Sequence, residues 1–178
     1  MKPKKFKEIK EGYDNFYKDL LRSGKLPLWS TELGFWNAAI SNEVYEAFKR
    51  LNLQNSSRFL DLGSGDGKVA LLASLFCKEA HGVEIDKKLF EKSIEMKSLL
   101  DLRNTSFYNK DFLDHSLNGY DVVFINPDKP IKRELEAKLL DELNGTLIVH
   151  GHHFHPTKLK KKESFLVDNT LVTSYSKE

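Results

Sequence analysis

The chain has 178 residues, of which 30% are charged and 40% hydrophobic, with a formal net charge of +2. That near balance excludes a general polyanion-binding field, and the length suits one domain with a sizeable core. The single cysteine, Cys77, excludes a disulfide framework and suits a reducing compartment. Neither a secretory leader nor an apolar run of membrane length is visible, so the expectation is a cytoplasmic chain with no membrane attachment.

Phe6, Ile9, Tyr13, Phe16, Tyr17, Leu20 and Leu21 recur at helical spacing and predict a helix over 5–22, ending near Gly24. Gly12 interrupts that pattern. Leu26 to Thr31 reads as an extended turn around Pro27. Phe35 to Leu51 reads as a second helix with Ala39, Val44, Ala47 and Phe48 towards the core. Strands and helices then alternate: strand 58–62, helix 68–77, strand 80–85, helix 87–100, strand 105–109, strand 120–125, helix 131–142 and strand 145–150. Two final apolar runs, Ser164 to Val167 and Thr170 to Tyr175, join through the hairpin-type turn Asp168-Asn169. The order predicts an α/β fold: a Rossmann-like doubly wound sheet of about seven strands, mostly parallel, with an antiparallel C-terminal strand. One domain is expected over 1–178, in which 1–52 forms a helical extension or lid and 53–178 the core.

Chemistry concentrates at Phe59-Leu60-Asp61-Leu62-Gly63-Ser64-Gly65-Asp66-Gly67, an apolar strand running through a glycine turn into a helix. Such a unit brings backbone N–H groups up to a nucleotide. The spacing is Gly-x-Gly-x-Gly and not the Gly-x-Gly-x-x-Gly of dinucleotide binders. Glu84 ends the next strand about 20 residues on, where an acid can hold ribose hydroxyls. A carboxylate at the end of a buried strand is costly without such a partner. Asp86 suits the N-cap of the following helix. The third strand leads into Lys110-Asp111-Phe112. The fourth, Tyr120 to Ile125, closes with Asn126-Pro127, where proline removes a ladder donor.

With Asp61 ahead of its glycines, the loop resembles motif I of class I S-adenosylmethionine (SAM) methyltransferases, and the element order matches that family's pattern. The resemblance implies a SAM-dependent methyltransferase with SAM as cofactor, held by Asp61, Gly63, Ser64, Gly65 and Gly67. Glu84 would take the ribose hydroxyls, Asp111 the adenine amino group and Phe112 the ring face, with Ile85 as a further cofactor-binding residue. Residues 26–155 are further similar to the small protein-lysine methyltransferases that include an archaeal broad-specificity enzyme and the mitochondrial ATP synthase c-subunit lysine methyltransferase. The similarity lies in Leu26-Pro27-Leu28-Trp29-Ser30-Thr31 ahead of motif I, in Asn126-Pro127-Asp128-Lys129-Pro130 with its helix, and in Gly145 to His150.

That resemblance implies a protein lysine acceptor. Asn126, at the end of the fourth strand beside the expected methyl group, is the candidate catalytic residue, holding the amine through its amide oxygen. Trp29 and the loop from His152 to His155 would form the walls, with Pro127 and His152 also binding substrate. Asn126-Pro127 departs from those enzymes and leans towards the Asn/Asp-Pro-Pro-aromatic motif of nucleic-acid amino-methyltransferases. Asp128 and Lys129 stand where that motif needs its second proline and its base-stacking aromatic. An RNA or DNA amino-methyltransferase and a small-molecule methyltransferase therefore stay as alternatives. A SAM-fold binding protein without catalysis is disfavoured by the intact loop.

His150, His152, His153 and His155 invite a metal reading, but no cysteine or acid lies near them in sequence. No metal is expected; the cluster reads as a partly exposed rim that contacts substrate. Lys158, Lys160, Lys161 and Lys162 read as a solvated loop, with a contact to phosphate or an acidic partner as the alternative.

Overall fold

The computed structural model describes residues 2–31, 34–130 and 133–177, with the backbone alone at Trp29. The first helix, α1 (Lys2–Arg22), is continuous through Gly12. A Cβ on Gly12 would lie 3.3 Å from Met96 Cε and 3.4 Å from a Leu100 methyl. The glycine that breaks the periodicity therefore lets α1 approach its neighbour closely. Ile9 and Tyr13 are fully buried on its inner face, and burying each such side chain contributes roughly 1.5–3 kcal/mol.

The helix expected over Phe35 to Leu51 is two elements. Leu28–Ser30 (β1) and Phe35–Asn37 (β2) pair as an antiparallel ribbon, and the helix proper, α2, spans Ser41–Arg50. Aromatic Phe35 and Trp36 favour the pleated ribbon, which places Phe35 outward and Trp36 inward. The predicted turn at Leu26 to Thr31 likewise contains β1.

From Arg58 onward the expected alternation holds: β3 (Arg58–Leu62), α3 (Lys68–Ala73), β4 (Glu79–Glu84), α4 (Lys87–Leu99), β5 (Thr105–Asn109), β6 (Val122–Ile125), α5 (Arg133–Glu142), β7 (Thr146–His150), β8 (Lys160–Val167) and β9 (Thr170–Ser176). The start of the predicted 131–142 helix lies outside the described residues. Asp86 caps α4, its carboxylate accepting from the Lys88 and Leu89 amides at 2.9 and 3.0 Å. The predicted 68–77 helix is shorter because its last turn loosens into successive turns through Cys77. Cys77 is buried, and burial pushes its thiol up to about 12.

The seven main strands form one sheet in the order β5-β4-β3-β6-β7-β9-β8. The first five are parallel; β9 inserts antiparallel between β7 and β8. This is the Rossmann-like sheet expected, with the hairpin at one edge. On one face Phe59 and Phe124 of the sheet pack with Tyr13, Phe48 and Leu72; the other face packs against Leu135, Leu139 and Leu143 of the α5 region. The lysine run expected as a loop mostly belongs to β8: Lys160 to Lys162 lie on this exposed edge strand, beside a bulge between Lys161 and Glu163. Lysines and a bulge on an edge discourage pairing with another chain. Among the described residues no helix is long and apolar enough to cross a membrane.

Candidate active site

The C-terminal ends of β3, β4 and β6 open into a cleft roofed by the β1–β2 ribbon. Asp61, Gly63, Ser64, Gly65, Glu84, Ile85, Phe112 and Asn126 line it together with Trp36 and Lys68. Gly63, Gly65 and Gly67 all adopt positive φ, at 72°, 55° and 84°. A Cβ on Gly63 would meet nothing within 4 Å, so its backbone borders open space. Gly65 differs: its Cβ would lie 2.6 Å from the Trp36 indole. The bare glycine there makes room for an aromatic ring of the ribbon, whereas the sequence suggested room for a ligand.

Gly65→Val should accordingly strain the loop and collide with Trp36 together. Each effect costs about 1–3 kcal/mol, so we expect a clear drop in melting temperature and loss of S-adenosylhomocysteine (SAH) binding. Unchanged thermal unfolding would contradict the observed packing.

Glu84 fastens the loop. Its two oxygens accept from the backbone amides of Gly65 and Asp86, each at 2.8 Å. Burial raises its pKa, partly offset by those hydrogen bonds. Asp61 is buried, its Oδ2 has no hydrogen-bond partner among the described residues, and burial raises its pKa well above the usual range, helped by Glu84 and Asp66. The Ser64 hydroxyl is likewise buried and unpartnered. Orphaned acceptors around an open cleft are what a bound cation or hydrogen-bonding ligand would satisfy.

Sequence reasoning missed the supports of this loop. Tyr17 of α1 donates to Asp66 Oδ2 at 2.5 Å, and Tyr13 donates to the Asp66 carbonyl at 2.8 Å. Lys68 is buried against both rings, 4.5 Å from the Tyr17 centroid, and burial lowers its pKa against the pull of Asp66. Both tyrosines were visible only as members of an apolar stripe. Phe112 reaches the cleft as expected, but Asp111 does not line it: its Oδ1 accepts from Leu113 N at 2.8 Å and caps a 3-10 turn.

A second cavity of about 530 Å³ shares Phe35, Asn37, Ala39 and Asn126 with the first. Pro127, Asp128, His150, His152 and His153 line it, with Glu43 and Thr170. Pro127 and His152 both line this cavity, while the Trp29 side chain lies outside the described residues. Asp128 Oδ2 accepts from the Phe35 amide at 2.6 Å and ties the ribbon to the loop after β6. Thr170 donates to Glu43 at 2.7 Å. The histidines do not act as one rim: His150 is buried and bonded to Asn126, and His155 meets the Tyr175 hydroxyl at 3.3 Å. His152 and His153 alone are exposed at this cavity. Among the described residues no three His, Cys, Asp or Glu gather to hold a metal ion.

The sequence profile of the histone methylation protein DOT1 family matches residues 38–176, most of the chain. The chain belongs to the DOT1 family. It is a SAM-dependent methyltransferase with the class I fold. Among solved structures, an RNA methyltransferase from Salinibacter ruber in complex with SAH is similar over 80% of this chain and 95% of its own, at 18% identity and a TM-score of 0.71. A tRNA (uracil-54, C5)-methyltransferase from Pyrococcus abyssi, also in complex with SAH, is similar over 79% of this chain and 40% of its own, at 16% identity and a TM-score of 0.64. At such identities the likeness is one of fold. No curated protein matches the chain.

The unpartnered Asp61 oxygen fits the chemistry of a cationic cofactor. Asp61→Asn tests this through opposed effects. Its folded pKa is raised, so its contribution to stability is fully present below the unfolded carboxylate pKa and is lost as pH rises from there through the raised folded one. At neutral pH a neutral amide removes that cost. We expect the ligand-free variant to melt higher, by a few degrees for each kcal/mol regained, and to bind SAM at least tenfold more weakly. A lower melting temperature without ligand would overturn the assignment.

Proposed function

We propose that this DOT1-family enzyme methylates the side-chain amine of protein lysine. One observation carries the reading: the charged groups lining the second cavity are the carboxylates of Glu43 and Asp128, and no lysine or arginine lines it among the described residues. An ammonium side chain is drawn into such a field, whereas a phosphate backbone is repelled. The basic stretch a nucleic acid would seek is on β8 at the far sheet edge, away from this cavity. The family's name, which concerns histone methylation, agrees with a protein acceptor.

When bound, SAM supplies a methyl group already activated by its sulfonium. The residues of the chain supply position. Asp61 and Ser64 would take polar groups of the amino-acid part, in keeping with their unpartnered oxygens. Glu84, anchored by two backbone amides, would accept from the ribose hydroxyls, and Ile85 and Phe112 would flank the adenine. Asn126, shared by both cavities, would hold the acceptor amine beside the methyl group. Asp111 would keep one oxygen for the adenine amino group only while the other caps its turn. Residues 1–52 would serve as the lid over the 53–178 core, a role supported by Trp36 on Gly65 and Tyr17 on Asp66.

Labelled SAM added with the enzyme to a cell extract tests the acceptor. The label should survive nuclease treatment and map to lysine by mass spectrometry. Nuclease-sensitive label would move the assignment to an RNA or DNA amino group, for which Asn126-Pro127 is the argument.

A further inference from the structure

We propose that His150 is a positioning residue for methyl transfer, acting through Asn126. The inference rests on the reading of Asn126 as the residue beside the acceptor amine. Strands β6 and β7 run parallel with Ile125 opposite Val149, so Asn126 and His150 are the next residues out along the two strands. His150 Nδ1 lies 3.1 Å from Asn126 Oδ1. An amide oxygen can only accept, so Nδ1 carries the hydrogen and donates.

That bond settles which way the amide faces. Without it, the oxygen and nitrogen of an exposed asparagine exchange by rotation about the side chain at little cost. With it, one lone pair of Oδ1 belongs to His150 and the other is free for an N–H of the acceptor. The amide oxygen expected from the sequence to hold the amine is thus shared with His150. His150 is itself held: the residue is 4% exposed and its ring stands 5.8 Å from the Phe124 ring. Burial pushes its pKa down to about 4, so the ring is neutral near pH 7 with its tautomer fixed by Asn126. Its Nε2 is buried without a partner among the described residues. This nitrogen gives up hydrogen bonding so that Nδ1 can point at Asn126, a placement that packing alone would not require.

Two polar replacements separate positioning from packing. Asparagine places its amide nitrogen near the position of Nδ1; glutamine places its own near Nε2. We expect His150→Asn to keep the single-turnover rate within about threefold, and His150→Gln to slow it about tenfold to a hundredfold. Both should bind SAH as wild type does, since His150 lies outside the cofactor cleft. In a double-mutant cycle His150→Gln should cost nothing further once Asn126 is alanine. Equal rates in the two single variants would overturn the proposal, whether both are fast or both slow, as would additive losses in the cycle. An acceptor-free check covers misfolded variants: nitrogen NMR of the wild-type imidazole should show the neutral Nδ1–H form from pH 6 to 8, and an Nε2–H form would overturn the proposal. Failure of the lysine reading appears separately, as wild-type label on something other than lysine.

Discussion

Glu84→Ala should weaken SAM and SAH binding by on the order of a thousandfold, the largest single-site loss expected on the cofactor side. The side chain is short of spare capacity. Each oxygen already accepts a backbone amide, one from Gly65 in the glycine loop and one from Asp86 at the head of α4. On the proposed cofactor pose, removing the carboxylate therefore deletes the acceptor for the ribose, and it unfastens the glycine loop in any case. Hydrogen bonds to a charged group contribute about 1.5–3 kcal/mol each, and two lost together exceed a hundredfold in affinity. Glu84→Gln is the sharper control. Glutamine keeps one accepting oxygen, but its amide nitrogen would face a backbone N–H, so we expect it to behave more like alanine than like glutamate. Protonation should act in the same direction: burial raises the Glu84 pKa, so cofactor affinity should fall with pH earlier than an ordinary carboxylate would allow. Calorimetric titration with SAH decides it, and a loss under tenfold would make Glu84 merely structural.

The residues that were legible in sequence are those whose chemistry is local. Asp61, the glycines and Glu84 announce themselves because a strand–turn–helix needs positive φ at fixed spacing and a buried strand end tolerates a carboxylate only with a partner. Asp86 is a short-range cap and was visible for the same reason. What sequence could not show depends on contacts between distant segments. The Phe35–Asn37 ribbon was read as helix because alanine, valine and phenylalanine downstream carry helical spacing. Nothing local reveals that Trp36 folds onto Gly65. Tyr17 meets Asp66 across 49 residues, and Asp128 meets Phe35 across 93. Neither pair leaves a periodic trace.

His150 illustrates the same limit at the acceptor side. Four histidines in six positions suggested a common rim, yet strand geometry separates them. His150 ends β7 and turns inward to Asn126, while the loop that follows exposes His152 and His153 and carries His155 away to Tyr175. A signal did exist: a strand predicted to end at residue 150, beside one closing on Asn126, already makes the two neighbours if those strands pair in parallel. Burial of the ring, which decides its tautomer and its neutrality, was not available without the fold.

Raising the pH should separate the acceptor classes by about a hundredfold to a thousandfold in rate. A lysine amine attacks only through its unprotonated form, and free lysine has a pKa of about 10.4. At saturating SAM the single-turnover rate should climb about tenfold per pH unit from pH 7, levelling only where the bound amine titrates. The cavity fixes where that happens by two opposed effects. Desolvation disfavours the ammonium and lowers its pKa, whereas Glu43 and Asp128 favour it and raise the pKa. For a lysine acceptor the carboxylates would therefore assist binding and delay deprotonation, so the climb should extend towards pH 10. Glu43→Gln removes one of them without touching the cofactor cleft. It should raise the KM for the protein acceptor and move the plateau to lower pH, so that the variant gains rate near neutrality at saturating acceptor. An exocyclic base amine is neutral over the whole range; it would give a flat profile, and Glu43→Gln would leave the shape unchanged. A flat wild-type profile with label outside lysine would overturn the protein-lysine assignment and leave Asn126-Pro127 as the clamp for a nucleobase amino group.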